Sequence, residues 1–263
     1  NAATDTGAAY LFSFTDTDFN GGTLESTIGK GYTGGKNVDV ASLEGFDNFG
    51  SAVSLNAAGD RLAVGAPRDD GAGDAANDSG AAYLFRFSDT DFNGGSLEST
   101  LGKGYTGGKN VDVASLEGGF NSDSFGTSVS LNASGDRLAV GAPFDDGAGS
   151  AANDSGAAYL FSFSDEDFND GTLESILGRS YTTNKNVDVA SLDVNDSFGN
   201  AVSLNAVGDR LAVGASSDDG DGNASTDSGA AYLFSFTDAN FNGGTLESTL
   251  GKGYSGAKDV DVT

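Results

Sequence analysis

The sequence contains FGSAVSLNAAGDRLAVGAP at residues 49–67, and nearly the same segment recurs at 125–143 and 198–216. A second phrase, GAAYLF, begins at residues 7, 80, 156 and 229. Its tyrosines are therefore spaced by 73, 76 and 73 residues, at Tyr10, Tyr83, Tyr159 and Tyr232. A fixed period of this length indicates one supersecondary unit that is copied along the chain.

Each repeat has the pattern of four short strands. Residues 53–55 and 61–64 are two strands joined by a tight turn at 58–60, where Gly59 adopts a positive φ without steric cost. An acidic loop at 69–80 follows, and then an aromatic strand and an outer strand. A fifth strand arises if residues 109–116 pair separately from residues 97–105. No segment has the 3.6-residue period of a helix.

The aromatic strand alternates large and small side chains. In the first repeat, Tyr10, Phe12 and Phe14 alternate with Ala9, Leu11 and Ser13. This period of two is typical of a strand, and the aromatic side is suited to packing between sheets. In the following repeat, we expect Phe49, Tyr83, Phe85 and Phe87 to fill the layer between neighbouring blades and to belong to the core.

These elements predict an all-β fold of antiparallel four-stranded blades, repeated every 73–76 residues in a β-propeller-like array. The predicted units are a partial blade at 1–48 and full blades at 49–124, 125–197 and 198–263. GAAYLF occurs four times and the Phe-Gly phrase only three, so the array is incomplete, with about three and a half blades. Its first half-blade exposes strand edges that neighbouring chains can complete.

The chain is strongly acidic, with a net charge of −26 from 39 acidic and 13 basic side chains. This charge opposes binding to nucleic acid and to anionic lipid. No apolar run is long enough to span a bilayer, so we expect no membrane insertion. The chain begins at Asn1 in the middle of a repeat, which indicates a piece of a longer protein.

Composition also argues against an enzyme. Without His or Cys, the Ser-His and Cys-His nucleophilic arrangements are excluded. Paired carboxylates could hydrolyse a glycoside, which is the third alternative for function. However, every acidic cluster recurs in each repeat, whereas an active site needs one asymmetric constellation. The sequence therefore predicts a non-enzymatic protein.

The repeated segments resemble those of a known family. Phe49-Gly50-x-x-Val53, then Val64-Gly65-Ala66-Pro67 and the phrase at 80–85 resemble the FG-GAP repeat, the blade unit of the integrin α-chain head and of many bacterial surface proteins. Residues 97–113 are similar to arrays in very large secreted bacterial adhesins. The resemblance implies an extracellular or cell-surface location in bacteria and a function in binding or adhesion to a protein or glycan ligand.

The resemblance does not extend to the integrin metal site. Integrin-type repeats carry calcium on Asp-x-Asp-x-Asp-Gly between the first two strands, where this chain has Asn56-Ala57-Ala58-Gly59-Asp60. A single carboxylate cannot reproduce that cage. The integrin calcium site is therefore not expected here.

A different loop has the spacing of a calcium site. Side-chain oxygens at positions 1, 3 and 5 of a loop can converge on one Ca²⁺. The candidate ligands are Asp16, Asp18, Asn20, Asp89, Asp91, Asn93, Asp165, Asp167, Asn169, Asp238, Asn240 and Asn242. The alternative is that Asp and Asn close Asx-turns while the central Phe fills the core. The loop at 69–78 is a second oxygen-rich candidate.

Two functions follow from the repeat pattern. The first is a binding module of an extracellular adhesin that uses loops on one face, with Ca²⁺ as a candidate cofactor. The second is a structural subunit of a self-assembling extracellular fibre or tandem array, in which the partners are copies of the chain joined through exposed strand edges. The near-identity of the repeats and the open first half-blade favour the second.

Overall fold

The computed structural model describes residues 4–119 and 122–262. In these residues the regular structure consists of four β-sheets and short 3₁₀ turns, of which one is at Asp221–Asn223, without an α-helix. Consequently none of the described segments is a helix long and apolar enough to cross a membrane. The prediction of an all-β fold is confirmed.

The sheets follow one another along the chain. Sheet 1 contains β1 (Ala8–Ser13), β2 (Thr23–Gly29) and β3 (Val38–Asp39). Sheet 2 contains β4 (Ala52–Leu55), β5 (Arg61–Ala66), β6 (Ala81–Arg86), β7 (Ser96–Gly102) and β8 (Val111–Asp112). Sheet 3 contains β9 (Ser128–Leu131), β10 (Arg137–Ala142), β11 (Ala157–Ser162), β12 (Thr172–Gly178) and β13 (Val187–Asp188). Sheet 4 contains β14 (Phe198–Leu204), β15 (Arg210–Ala215), β16 (Ala230–Ser235), β17 (Thr245–Gly251) and β18 (Val260–Asp261).

Strands that are consecutive in sequence are neighbours in every sheet. The first four strands of a full sheet pair antiparallel, as predicted, and the fifth strand that the sequence left open is present. A fifth strand of two residues pairs parallel, as β8 does with β7. The chain folds back through residues 103–110, where the Ser99 hydroxyl donates to the Lys109 carbonyl at 2.7 Å and the Asn110 side chain accepts the Thr100 amide at 2.9 Å.

The Phe-Gly phrase joins each sheet to the one before it. Phe125, ahead of β9, forms an isolated parallel bridge with Gly80, ahead of β6. The Phe125 ring then packs edge-on against Tyr159 and Phe161, with centroid distances of 5.4 and 6.0 Å. All three aromatic side chains are fully buried. Aromatic residues therefore fill the layers between the sheets of the propeller-like stack, as expected from the sequence.

The stack has two open ends. Strand β6, inside the stack, buries both of its faces, whereas β1 buries Ala9 and Leu11 but exposes Tyr10 and Phe12. At the other end, β16 buries the aromatic side and exposes Leu233. Tyr10, Phe12 and Phe14, whose pattern is suited to packing between sheets, are thus exposed. The physical reason is that none of the described residues covers this side of β1 in the way that the Phe-Gly half-repeats cover the equivalent strands of the other sheets.

Candidate functional site

In each full sheet, a buried carboxylate follows the second strand of the sheet. Asp69 follows β5, and its side chain accepts hydrogen bonds from the Tyr83 hydroxyl at 2.5 Å and from the Tyr105 hydroxyl at 2.8 Å. The Asp69 carboxylate also accepts the backbone amide of Gly71, at 2.9 Å. Asp69 and Tyr83 are both buried. This carboxylate therefore ties the segment after β5 to the central strand β6 and to the loop that follows β7, through two phenols.

The same triad occurs in the next two sheets. Asp145 accepts from Tyr159 at 2.6 Å and from Tyr181 at 3.0 Å. Asp218 accepts from Tyr232 at 2.6 Å and from Tyr254 at 3.1 Å. Burial raises the pKa of the Asp145 carboxyl, and the phenol hydrogen bonds partly oppose that rise. Burial beside the carboxylate raises the pKa of the phenols, so that they remain hydrogen-bond donors.

In the part of the chain that the structure describes, sheet 1 has the two phenols but no carboxylate that accepts from both of them. Tyr10 and Tyr32 stand where Tyr83 and Tyr105 stand in sheet 2, and the pKa of Tyr32 is raised mainly by its hydrogen bond with Tyr10. Tyr10 is 54% exposed, whereas Tyr83 is 0% exposed. The two phenols line an open cavity of about 750 Å³, together with Thr6, Gly7 and Lys30.

Replacing Tyr159 with phenylalanine is expected to destabilise the protein by about 2 kcal/mol, because a buried carboxylate loses a charged hydrogen bond. Tyr10→Phe, the same change at the equivalent position of β1, is expected to alter stability by less than about 0.5 kcal/mol. Urea unfolding followed by circular dichroism measures both. Equal losses for the two variants would contradict the assigned role of the triad.

The predicted calcium ligands lie in four exposed loops with the same geometry. In the first loop, Asp16 Oδ1 accepts the backbone amides of Asp18 at 3.0 Å and Asn20 at 3.1 Å. The Asn20 side-chain amide donates to Asp16 Oδ2 at 2.9 Å, and these bonds lower the pKa of Asp16. The central Phe19 has a φ of 60°, and the equivalent Phe residues share this left-handed conformation. These contacts are those of an Asx-turn.

The other three loops repeat these contacts. Their first residue accepts the backbone amides two and four residues later and the side-chain amide of the fifth residue. The structure thus brings together the members of each predicted set, namely Asp89, Asp91 and Asn93; Asp165, Asp167 and Asn169; Asp238, Asn240 and Asn242. It does not bring the four loops together in one site.

The loops of sheets 2, 3 and 4 are also bound by cationic side chains from the preceding sheet. Lys109 Nζ donates to the Asp167 carbonyl at 2.6 Å, and Arg61 Nη2 to Asp167 Oδ1 at 3.0 Å. Arg137 Nη2 donates to Asn240 Oδ1 at 2.7 Å, and Lys185 Nζ donates to the Asn240 carbonyl at 2.8 Å. In the described residues, the corresponding contact at Asp91 comes from a lysine of sheet 1, Lys36, at 2.6 Å.

These contacts do not fit a preformed calcium site. The first-position carboxylates already accept several hydrogen bonds, and the Asn side chains turn their NH₂ groups toward them. Among residues 4–119 and 122–262, no group of three or more acidic side chains is arranged to hold a metal ion. Calcium at these loops stays a prediction that requires the Asn side chain to rotate.

A second set of carboxylates lies beneath the acidic loops. Asp47, Asp123 and Asp196 occupy equivalent positions, and each accepts the backbone amide at the start of its turn, at 2.6 to 2.7 Å. Burial raises the pKa of Asp47 and Asp196 to about 6 and of Asp123 to about 8. Neighbouring carboxylates, including Asp69 and Asp145, raise these pKa values further.

The Tyr-Asp-Tyr triads were not predicted, although the sequence holds a signal for them. An aspartate stands 14 residues before the first tyrosine and 36 residues before the second in all three full repeats. Such a constant spacing between an acid and two phenols indicates a shared contact. The contacts of Arg61 with residues 166 and 167 have no comparable signal in the sequence.

Comparisons with known proteins agree with the repeat pattern. The family profile described as the FG-GAP repeat matches residues 43–85, 117–161 and 192–234. A comparison with curated proteins finds no match. Among solved structures, the crystal structure of Saccharomyces cerevisiae Sqt1 is similar over 78% of this chain and 36% of its own, with 11% identity and a TM-score of 0.37. The chain thus spans about a third of Sqt1.

Proposed function

The chain is an FG-GAP repeat protein, and from this premise we propose that it is a non-enzymatic binding module that acts in extracellular adhesion on a bacterial surface. The observation that carries the proposal is the recurrence of one partly exposed loop in successive sheets, at 69–80, 145–156 and 218–229. Loops of one kind, held at a fixed spacing, suit multivalent contact with a protein or glycan ligand.

The repeated chemistry supports a binding function over catalysis. The buried carboxylates and the Asx-turn loops occur in three or four equivalent forms, each with the same partners. Catalysis by carboxylates needs two groups whose environments differ, so that one is an acid and the other a base. Equivalent groups at the same level of successive sheets do not provide that difference.

Adhesion is tested with beads that carry the folded chain, passed over arrayed glycans and immobilised extracellular-matrix proteins. We expect retention that the soluble folded chain competes away. Beads that carry the heat-unfolded chain are the matched control. Retention no greater than that of the control beads on every surface would contradict the proposal.

A second function, a self-assembling array, is favoured by the two open ends of the stack. At the end formed by sheet 4, Arg210 bonds to the neighbouring Asp209, and Lys258 bonds to Glu247. The equivalent Arg137 and Lys185 hold the loop of the following sheet. A second molecule placed head to tail would offer its loop at 16–20 to Arg210 and Lys258. Head-to-tail contacts of this kind produce a filament when they do not close into a ring.

Sedimentation velocity and negative-stain microscopy test the array. We expect association that weakens with salt and is lost in Arg210→Ala combined with Lys258→Ala. The matched control is Lys103→Ala, a change of one lysine within the stack. A monomer at all concentrations would contradict this second function.

Calcium belongs to the proposal at the first loop, because the other three loops already bind a lysine of the preceding sheet. Calorimetric titration with CaCl₂ is expected to give one weak site, in the range of 10⁻⁴ to 10⁻³ M that is known for extracellular modules. Asp16→Asn should abolish it, and Asp89→Asn should leave it unchanged. No heat of binding, or four equal sites, would contradict calcium at this loop.

A further inference from the structure

Three of the four Asx-turn loops contain an asparagine that is followed by glycine. The pairs are Asn20-Gly21, Asn93-Gly94 and Asn242-Gly243, and the sequence has no other Asn-Gly pair. In sheet 3 the equivalent pair is Asn169-Asp170. The second residue of every pair has a positive φ, between 49° and 60°, so the turn itself favours glycine at this position.

An Asn-Gly pair can modify itself, because glycine has no Cβ to obstruct attack by its backbone nitrogen on the preceding side chain. The Gly94 nitrogen gives up its proton to water and bonds to Asn93 Cγ. The bond from Cγ to Nδ2 then breaks, and the leaving nitrogen takes a proton from water and departs as ammonia. Water opens the resulting succinimide ring at either carbonyl. The side-chain amide and one water thus become a carboxylate, as aspartate or isoaspartate, and ammonia.

The folded loop assists the first step of this reaction. When the Gly94 nitrogen loses its proton, the negative charge is shared with the Asn93 carbonyl oxygen of the same peptide. That oxygen accepts the Ser88 backbone amide at 2.8 Å and the Ser88 hydroxyl at 2.9 Å. In sheet 4 the Asn242 carbonyl accepts the same two groups of Thr237, at 2.8 and 3.0 Å. Donors that are aimed at developing charge lower the barrier.

The reacting atoms of these two loops are also accessible. Gly94 and Gly243 are exposed, and Asn93 and Asn242 are half-buried. In the part of the chain that the structure describes, the amides of Gly94 and Gly243 donate no backbone hydrogen bond. Both loops pack against a preceding sheet, so these properties belong to the interior of the stack. The nucleophile is therefore unengaged, and water can reach it.

Deamidation would disrupt the turn that contains the asparagine. Asn93 Nδ2 donates to Asp89 Oδ2 at 2.8 Å, and the equivalent bond in sheet 4 has the same length. A carboxylate in place of this amide would bring two like charges into contact, and they would repel each other. The same turn presents the Asp91 carbonyl, which accepts from Lys36 of the preceding sheet. Opening the turn therefore weakens a contact between two sheets.

We propose that Asn93 and Asn242 are sites of spontaneous deamidation in the folded protein, and that this modification loosens the contact of each loop with the preceding sheet. Asn20 has the same pair and converts as well. Asn169 is protected, because the side chain of Asp170 obstructs the attack. Conversion accumulates with time and is faster at higher pH, since the glycine nitrogen must lose its proton. This proposal does not depend on the proposed adhesion function.

The test incubates the intact folded chain at alkaline pH and follows each asparagine by peptide mass spectrometry. We expect Asn93 and Asn242 to convert at least about tenfold faster than Asn169, because only they precede glycine. Asp170→Gly should make Asn169 reactive, and Gly94→Asp should protect Asn93. Each of these changes introduces the residue that an equivalent loop already has, so the turn is retained.

Ser88→Ala tests the assistance by the fold. This variant removes one donor to the Asn93 carbonyl and should slow the conversion of Asn93 about fivefold, while Asn242 converts at its original rate. An unchanged rate at Asn93 would contradict the assistance that the loop is proposed to give.

Asn93→Asp reproduces the modified side chain and tests its consequence. In urea unfolding with a chelator present, we expect a lower midpoint than for Asn223→Asp, which adds the same charge at an exposed position away from these loops. The proposal is overturned if Asn93 and Asn242 convert only in the urea-unfolded chain, if Asn169 converts as fast as they do, or if the two aspartate variants have equal midpoints.

Discussion

Replacing Gly141 with alanine is expected to destabilise the protein by about 3 kcal/mol or more, as measured by urea unfolding. Gly141 lies in β10, where sheet 3 meets the Phe-Gly phrase of sheet 4. A Cβ atom at this position would lie 1.8 Å from the Gly199 carbonyl oxygen. That oxygen belongs to the backbone and cannot move aside as a flexible side chain can. The two sheets must therefore separate, and the buried aromatic layer between them loosens.

Gly214→Ala is the matched control. Gly214 is the equivalent position in β15, where none of the four described sheets packs against it from the far side, and an added Cβ would lie 3.5 Å from its nearest neighbour, Ala201 Cβ. We expect a change below about 1 kcal/mol for this variant. Gly65→Ala, at 1.9 Å from the Gly126 carbonyl oxygen, should resemble Gly141→Ala. Similar losses at all three positions would contradict the stacking of sheets that this structure describes.

The free energy of unfolding is expected to fall as the pH rises from about 4 to about 8. The pKa of Asp123 is about 8 in the folded state, above its ordinary value of 3.8. Across this range the folded protein holds a proton that the unfolded chain releases, so stability is greatest below the unfolded pKa and is lost as the pH approaches the folded pKa. Asp47 and Asp196, each with a pKa of about 6, add to this loss in its lower half.

Asp123→Asn is expected to stabilise the protein by about 2 to 5 kcal/mol at pH 8.5, because each pKa unit corresponds to about 1.36 kcal/mol. The asparagine side chain can still accept the Glu117 amide, which is bonded at 2.7 Å in the wild-type chain. At pH 4 the variant should match the wild type. Asp74→Asn, at an exposed position of the acidic loop, controls for the removal of one charge from a very acidic protein. Stability that is lower for Asp123→Asn at pH 8.5 would contradict the buried, protonated carboxyl.

The sequence predicts the strands better than their surroundings. The phrase GAAYLF forms a strand in all four of its occurrences, because its alternation of small and aromatic residues is local. Whether Tyr10 or Tyr83 is buried depends instead on the presence of a preceding hairpin. The count of Phe-Gly segments predicted an incomplete array, and the exposed aromatic face of β1 lies at its open first half-blade.

The side-chain contacts of the site were less accessible to sequence reasoning. The Asp-x-Asp and Asp-x-Asn loops indicated either calcium or turns, because both uses need oxygens at the same spacing. The cationic side chains that reach the loops of sheets 2, 3 and 4 from the preceding sheet, such as Lys109 and Arg61 at Asp167, distinguish these loops from the first one. Contacts across more than 50 residues depend on how the sheets stack, and no local pattern encodes them.

The central claim is that identical tyrosine phrases occupy different environments because the stack is open at sheet 1. Nitration of the folded chain with tetranitromethane, read by peptide mass spectrometry, tests it directly. We predict rapid modification of Tyr10 and Tyr32 and protection of Tyr83, Tyr159 and Tyr232. Equal modification of Tyr10 and Tyr83 under native conditions would contradict the difference between these two environments.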